Sequence, residues 1–223
     1  MGEIDIPKIE QQETEIKKYF ELKIGDPGTR VVIEADHAVG EIGIRDIVQR
    51  VTVETNATSM IAIKPRDEVD VARRRSIKAR SAMVDAFKKT HGYSGWVDDQ
   101  TKRIDAPIYR FCLNGVKDSE SDEYDIAIAT NYRPAYPEKL HKLKELLTEK
   151  VGSSYSVVLA GKESGKAIEC SGYESISDLR KDDVFGRDHQ TFQIGITRKL
   201  RENGPARDLI VEALVHAVRE IQK

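Results

Sequence analysis

Three residues that can bind a metal ion stand close together in the first quarter of the chain. Glu34, Asp36 and His37 supply two carboxylates and an imidazole, which are ordinary ligands of divalent metals. Side chains alternate along a strand, so a strand through these residues would place Glu34 and Asp36 on one face and His37 on the other. A strand end that enters a loop at residues 38–43 accounts for them better. We therefore predict no metal ligand, no cofactor and no catalytic residue here.

Other patterns typical of catalysis are missing from the sequence. The glycine-bounded segment GKESG at residues 161–165 lacks the spacing and the following Lys-Ser/Thr of a phosphate-binding loop, and a hairpin turn explains it. The sequence has no nucleophile elbow, no paired-cysteine motif and no His-x-x-x-His. These observations favour a protein that works by binding and assembly over an enzyme.

A nuclease is the alternative that the sequence leaves open. Two-metal hydrolysis needs acidic groups that converge on the metals. Glu21 and Glu149 have suitable side chains, but neither has a partner aspartate on a neighbouring predicted strand. In this alternative, a nucleic-acid-binding protein or metal-dependent nuclease of a defence or mobile-element system would use carboxylates near Glu34, Asp36 or Asp125.

The strongest local charge is a basic patch on a helix predicted at residues 67–90. Its cations would meet phosphates in the nuclease alternative, or an acidic subunit face in an assembly. A solvated helix face explains them equally, because charges opposite an apolar stripe usually face water. The chain as a whole has a net charge of -2, so nucleic acid could bind only at a local patch. The patch consists of Arg73, Arg74, Arg75, Lys78 and Arg80.

The hydrophobic patterns predict an α+β protein with antiparallel or mixed sheets flanked by helices. The second half reads as a helix at 138–151, strands at 155–160, 167–173 and 190–198, and a helix at 205–222. The first half has a similar order, with a helix at 9–24, strands at 30–35 and 47–63, and the helix at 67–90. Another strand is predicted at 124–130. The strand at 47–63 is indicated by Val51 and Val53, which alternate with polar neighbours. In the strand at 190–198, the alternating Phe192, Ile194 and Ile196 predict one buried and one solvated face. Two related units, 1–132 and 137–223, or one continuous domain would fit this order.

Composition and the N-terminus predict a soluble protein that stays in the cytoplasm. Hydrophobic residues make up 39% and charged residues 33% of the chain, and the first residues contain no apolar run of the kind found in a signal peptide. Cys112 and Cys170 both fall in predicted strands, where we expect reduced, buried thiols.

The last 87 residues resemble tail terminator and tail-completion proteins of tailed bacteriophages. The segments CSGYESISDLRKDD and HQTFQIGITRKL, followed by a long amphipathic helix, are similar to the C-terminal halves of that family. The resemblance implies a non-enzymatic α+β virion protein that assembles as a ring with copies of itself and with other virion proteins.

The loop at residues 173–188 is the subunit contact that this resemblance implies. Charges of alternating sign surround a few apolar anchors, which suits an interface with a buried centre and a polar rim. An ordinary hairpin connection whose Phe185 packs on its own sheet is the alternative. The candidate interface residues are Tyr173, Ile176, Leu179, Arg180, Phe185 and Arg187.

Overall fold

A computed structural model describes residues 17–23, 25–26, 29–65, 68, 108–116, 124–129, 137–160 and 189–223. Within these ranges the chain forms a seven-stranded sheet and four α-helices. The strands are β1 (Phe20–Lys23), β2 (Val31–Ala35), β3 (Thr58–Ala62), β4 (Ile108–Val116), β5 (Ile126–Ala129), β6 (Val157–Ala160) and β7 (His189–Thr197). The helices are α1 (Ile44–Thr55), α2 (Pro137–Val151), α3 (Arg198–Glu202) and α4 (Gly204–Ile221).

The sheet is mixed, with the strand order β1-β3-β2-β4-β7-β5-β6. Strands β3, β2, β4 and β7 run parallel to one another. At one edge β1 pairs with β3 in the antiparallel direction, and at the other β5 is antiparallel to β7 and parallel to β6. This architecture confirms the predicted α+β class with a mixed sheet.

One face of the sheet is covered by α1, α2 and α4. Alternate residues of β2 and β7, among them Ile33, Phe192 and Ile194, point toward these helices and are buried with them. Leu143 of α2 is fully buried in the same core, and burying a leucine side chain contributes about 1.5–3 kcal/mol. This core holds the carboxyl ends of the parallel strands in fixed positions.

The prediction of one long strand at residues 47–63 is wrong. Residues 44–55 form α1, and only Thr58–Ala62 form a strand. The apolar residues Ile44, Ile47 and Val51 recur at helical steps of three and four, and this longer pattern outweighs the alternation of Val51 with Val53. Val53 is 67% exposed, whereas a strand would have buried it beside Val51.

The solvated face predicted for the strand at 190–198 is also wrong. Phe192, Ile194 and Ile196 are buried as predicted, but Gln193 and Thr197 on the other face are buried as well. β7 pairs with β4 in the parallel direction, and parallel strands are usually covered on both faces of the sheet, whereas the prediction assumed an antiparallel sheet with one solvated face. The end of the helix predicted at 9–24 is instead β1.

Several predicted elements are confirmed within a few residues. They are the strands at 30–35, 124–130, 155–160 and 190–198 and the helices at 138–151 and 205–222. The helix predicted at 67–90 and the strand predicted at 167–173 lie outside the described residues. The division into two units stays a prediction. Among the residues that the structure describes, no helix is long and apolar enough to cross a membrane.

Candidate active site

The carboxyl ends of β2 and β4 are the place where this sheet can form a binding cleft. The two strands are neighbours, but the chain leaves β2 toward β3 on one side and leaves β4 toward β5 on the other. Ligands of open α/β sheets bind where such loops diverge, outside the carboxyl ends of the strands. The residues at this edge are therefore the candidates for chemistry.

The loop that follows β2, residues 36–43, carries a histidine and a glutamate that face each other. Nδ1 of His37 lies 3.8 Å from Oε1 of Glu41. Backbone hydrogen bonds hold the loop in turns, from the Gly40 N–H to the His37 carbonyl (3.1 Å) and from the Ile44 N–H to the Glu41 carbonyl (3.2 Å). Since β2 ends at Ala35, strand alternation does not separate the side chains of this loop.

Glu41 is also held by the neighbouring strand. Its Oε2 accepts a hydrogen bond of 2.5 Å from the backbone N–H of Gly115, near the end of β4. Burial raises the pKa of Glu41 above its ordinary value, although the Gly115 hydrogen bond and the charges of His37 and Arg201 act in the opposite direction. One carboxylate oxygen is thus fixed by β4 while the other faces His37.

Behind this edge, Glu34 and Arg110 form an ion pair between β2 and β4. Both side chains are about 1% exposed, and they lie on the sheet face opposite α1, α2 and α4. The thiol of Cys112 donates to Oε2 of Glu34 at 3.5 Å. Burial raises the pKa of Glu34 to about 7, even though the adjacent Arg110 lowers it. Burial likewise raises the pKa of Cys112, so the thiol stays protonated and unreactive.

Asp125 is another acidic residue at this edge, at the start of β5. Its Oδ2 accepts hydrogen bonds from the Ser156 N–H (2.8 Å) and the Ser156 hydroxyl (3.1 Å), and its Oδ1 pairs with Lys199. Burial opposes ionisation, but these bonds outweigh it and lower the pKa of Asp125. Asp125 therefore joins β5 to the segment before β6 and has a structural role.

His37 and Glu41 have the donor types of a metal site but do not complete one. A separation of 3.8 Å allows both atoms to contact one ion at zinc bond lengths of about 2.0–2.2 Å. A catalytic zinc has three protein ligands, however, and the described part of the chain contains no cluster of three His, Cys, Asp or Glu residues that could hold a metal. The described residues thus supply two of the three protein ligands of a catalytic zinc site.

The structure places some of the predicted site residues in the candidate site and does not describe others. The candidate interface at residues 173–187 and the basic patch at residues 73–80 lie outside the described residues. Three residues were considered as metal ligands. His37 lies in the candidate site, whereas Glu34 pairs with Arg110. Asp36 is buried (5% exposed) in the same loop, directly before His37. Glu41 was missed. Its signal was a His-x-x-x-Glu spacing in a loop with Gly40 and Gly43 directly after an apolar strand.

Comparison with solved structures identifies the fold. The gene product Atu2144 from Agrobacterium tumefaciens matches with a TM-score of 0.57 at 12% identity, over 94% of this chain and 96% of that one. N-formylglutamate amidohydrolase from Ralstonia eutropha JMP134 matches with a TM-score of 0.53 at 14% identity, over 91% and 97%. YNDL in its zinc-free apo form matches with a TM-score of 0.52 at 10% identity, over 91% of each chain. No protein-family model and no curated protein matches the sequence.

These similarities correct the resemblance to phage tail terminators. The chain shares its fold over nearly its whole length with an amidohydrolase, so the prediction of a non-enzymatic virion ring protein is wrong, and so is the preference against an enzyme. The resemblance rested on the order of elements and on two sequence segments within residues 137–223. In the structure β7 pairs with β4 of the first half in the parallel direction.

Proposed function

We propose that the protein is a hydrolase that cleaves the amide bond of a small N-acylated amino acid. The observation that carries this proposal is the pair His37 and Glu41, held at the carboxyl ends of β2 and β4. The fold similarity to N-formylglutamate amidohydrolase supports the reaction class. We also expect the protein to act in the cytoplasm, as the sequence predicts.

Hydrolysis of an amide needs a group that takes a proton from water and later returns it to the leaving amine. The carboxylate of Glu41 can take that proton through Oε1, because Oε2 is engaged by Gly115. The water oxygen then forms a bond to the acyl carbon, the carbon–nitrogen bond breaks, and the amine leaves with the proton. His37, directly opposite, can donate a hydrogen bond to the oxygen that becomes negative in the transition state.

Zinc is the first metal to include in an assay, because YNDL is described in a zinc-free form. The described residues supply two zinc ligands and not three, so the chemistry proposed above uses only the side chains of the protein. Adding zinc to all reactions prevents a missing ion from hiding the activity.

The test is a panel of four substrates, the N-formyl and N-acetyl derivatives of glutamate and leucine. Release of the free amino acid is measured with a primary-amine reagent, with heat-unfolded protein as the control. We expect the folded protein to release the amino acid from at least one substrate, and the heat-unfolded protein to release it from none. No release from any of them, by protein with cooperative thermal unfolding, would overturn the proposal.

A further inference from the structure

Arg201 in α3 is a buried cation that the proposed reaction does not use. Its side chain is only 6% exposed, and a charge in such a place is costly unless hydrogen bonds satisfy it. Nε donates to the Ile196 carbonyl (2.9 Å), Nη1 to the Ile42 carbonyl (2.5 Å) and Nη2 to the Val116 carbonyl (3.5 Å). The guanidinium thus joins β7, the loop 36–43 and β4.

Two glycines make room for this arginine. A Cβ at Gly115 would lie 2.7 Å from Cζ of Arg201, and a Cβ at Gly43 would overlap the Arg201 carbonyl oxygen. Gly43 also has φ of 86°, a backbone conformation that other residues rarely adopt. The two strand ends and the loop are therefore shaped around Arg201.

Arg201 binds the chain next to both ends of the hydrogen bond between Gly115 and Glu41. Ile42, whose carbonyl binds Nη1, directly follows Glu41 in the loop. Val116, whose carbonyl binds Nη2, directly follows Gly115, the residue that donates to Glu41. The guanidinium therefore contacts the chain directly beside both partners of this hydrogen bond.

We propose that Arg201 is a positioning residue, which sets the orientation of Glu41 toward His37 by tying the loop 36–43 to the ends of β4 and β7. Arginine suits this role better than lysine, because its planar fork carries five N–H donors that point in different directions. A lysine would keep the positive charge but would present all its donors from one atom. A lysine at this position is therefore not expected to bind all three carbonyl oxygens at once.

The variants are chosen to separate positioning from folding. Arg201→Lys keeps the charge and removes the fork. Gly115→Ala keeps Arg201 and pushes its guanidinium out of place. The matched control is Arg198→Lys, because Arg198 lies on the same helix with its Nε bound to Glu202 on the exposed surface (2.8 Å). Each variant is first checked for cooperative thermal unfolding.

The first readout is amide hydrogen exchange, which needs no enzymatic activity. We expect exchange at the Gly115 and Gly40 amides to rise about tenfold in Arg201→Lys, the size expected when one hydrogen bond to a charged group is lost. Exchange in the middle of α4 should stay as in the wild type, and Arg198→Lys should match the wild type throughout. In Gly115→Ala, hydrogen exchange is measured at the Gly40 amide, where we expect the same rise. Wild-type protection at Gly40 and Gly115 in Arg201→Lys would overturn the proposal.

The second readout is kinetic and rests on the proposed function. Arg201 has little exposed surface for a substrate, so we expect kcat to fall about tenfold or more from the misplaced Glu41, with KM changed less than about threefold. A rise in KM at unchanged kcat would assign Arg201 to substrate binding and would contradict positioning. If the wild type hydrolyses none of the substrates, the proposed function fails, whereas the exchange measurement still decides the role of Arg201.

Discussion

The backbone N–H of Gly115 donates a hydrogen bond of 2.5 Å to Oε2 of Glu41, which lies 74 residues earlier in the chain. This bond joins the end of β4 to the loop after β2 and leaves Oε1 directed toward His37. One oxygen of the carboxylate is thus held by the backbone, and the other is the one that the proposed reaction uses.

Replacing Glu41 with glutamine is expected to leave the protein as stable as the wild type or slightly more stable. Burial raises the pKa of Glu41, which means that the ionised form is held at a cost, and glutamine keeps a carbonyl oxygen for the Gly115 N–H. Thermal unfolding at neutral pH measures this. A clear fall in melting temperature would show that the charge of Glu41 serves the fold.

Breaking the ion pair between β2 and β4 should be costly. Arg110→Met leaves Glu34 buried beside an apolar side chain, and removing one partner of a buried pair typically costs about 3–5 kcal/mol. Adding Glu34→Met should recover part of that loss, because the double variant has no buried charge. Urea unfolding of the single and double variants measures the coupling. The control is the exposed pair of Arg50 and Asp208 (2.6 Å), whose loss should cost less than about 1 kcal/mol.

The pH dependence of stability should show the raised pKa of Glu34. The pKa of this side chain is about 7 in the folded protein and 4.5 for a glutamate in water, so the folded state binds more protons between these values. The free energy of unfolding should therefore fall as pH rises from about 4.5 to about 7. In Glu34→Gln this part of the fall should disappear. Asp125 does not interfere, because its lowered pKa affects stability only as pH falls below about 4. Parallel pH curves for wild type and variant would contradict the prediction.

Two glycines with positive φ allow a matched comparison of strain and crowding. Gly43 (φ 86°) faces the Arg201 carbonyl, whereas Gly152 (φ 63°) has open space where a Cβ would lie. Gly152→Ala should cost about 1–2 kcal/mol from the backbone conformation alone. Gly43→Ala should cost about 1–3 kcal/mol more, because the neighbouring backbone must move. Urea unfolding measures both. Equal losses in the free energy of unfolding would show that the backbone near Arg201 moves at little cost.

The sequence predicted the elements whose apolar pattern is long and regular. The stripe of Leu140, Leu143 and Leu147 defines α2, and Phe192, Ile194 and Ile196 define one face of β7. It did not predict that β7 lies between β4 and β5, because pairing between distant strands leaves no local pattern. The error at residues 47–63 had a different cause, because there the helical stripe was present in the sequence and two alternating valines were weighed above it.

The candidate site was only partly predictable. His37 was considered as a ligand, but the strand was assumed to continue through it, and alternation then placed it away from the acids. The structure ends β2 at Ala35, so the turn brings His37 toward Glu41. The hydrogen bond from Gly115 to Glu41 and the hydrogen bond from Arg201 to Ile42 could not be predicted from the sequence, because each joins residues that are distant along the chain. Self-association and nucleic acid binding stay predictions.

The most direct test of the proposed site is the release of the amino acid from the N-formyl and N-acetyl derivatives of glutamate and leucine by four proteins in parallel, with zinc present. They are the wild type, His37→Ala, Glu41→Gln and the surface control Glu138→Gln on α2. We predict that the wild type and the control hydrolyse the same substrates equally. Glu41→Gln should be slower by about 10²-fold or more from loss of the proton-transfer group, and His37→Ala by about 10²-fold or more from loss of the hydrogen-bond donor to the transition state. Equal rates in all four proteins, or no hydrolysis by the folded wild type, would contradict the assignment of this site.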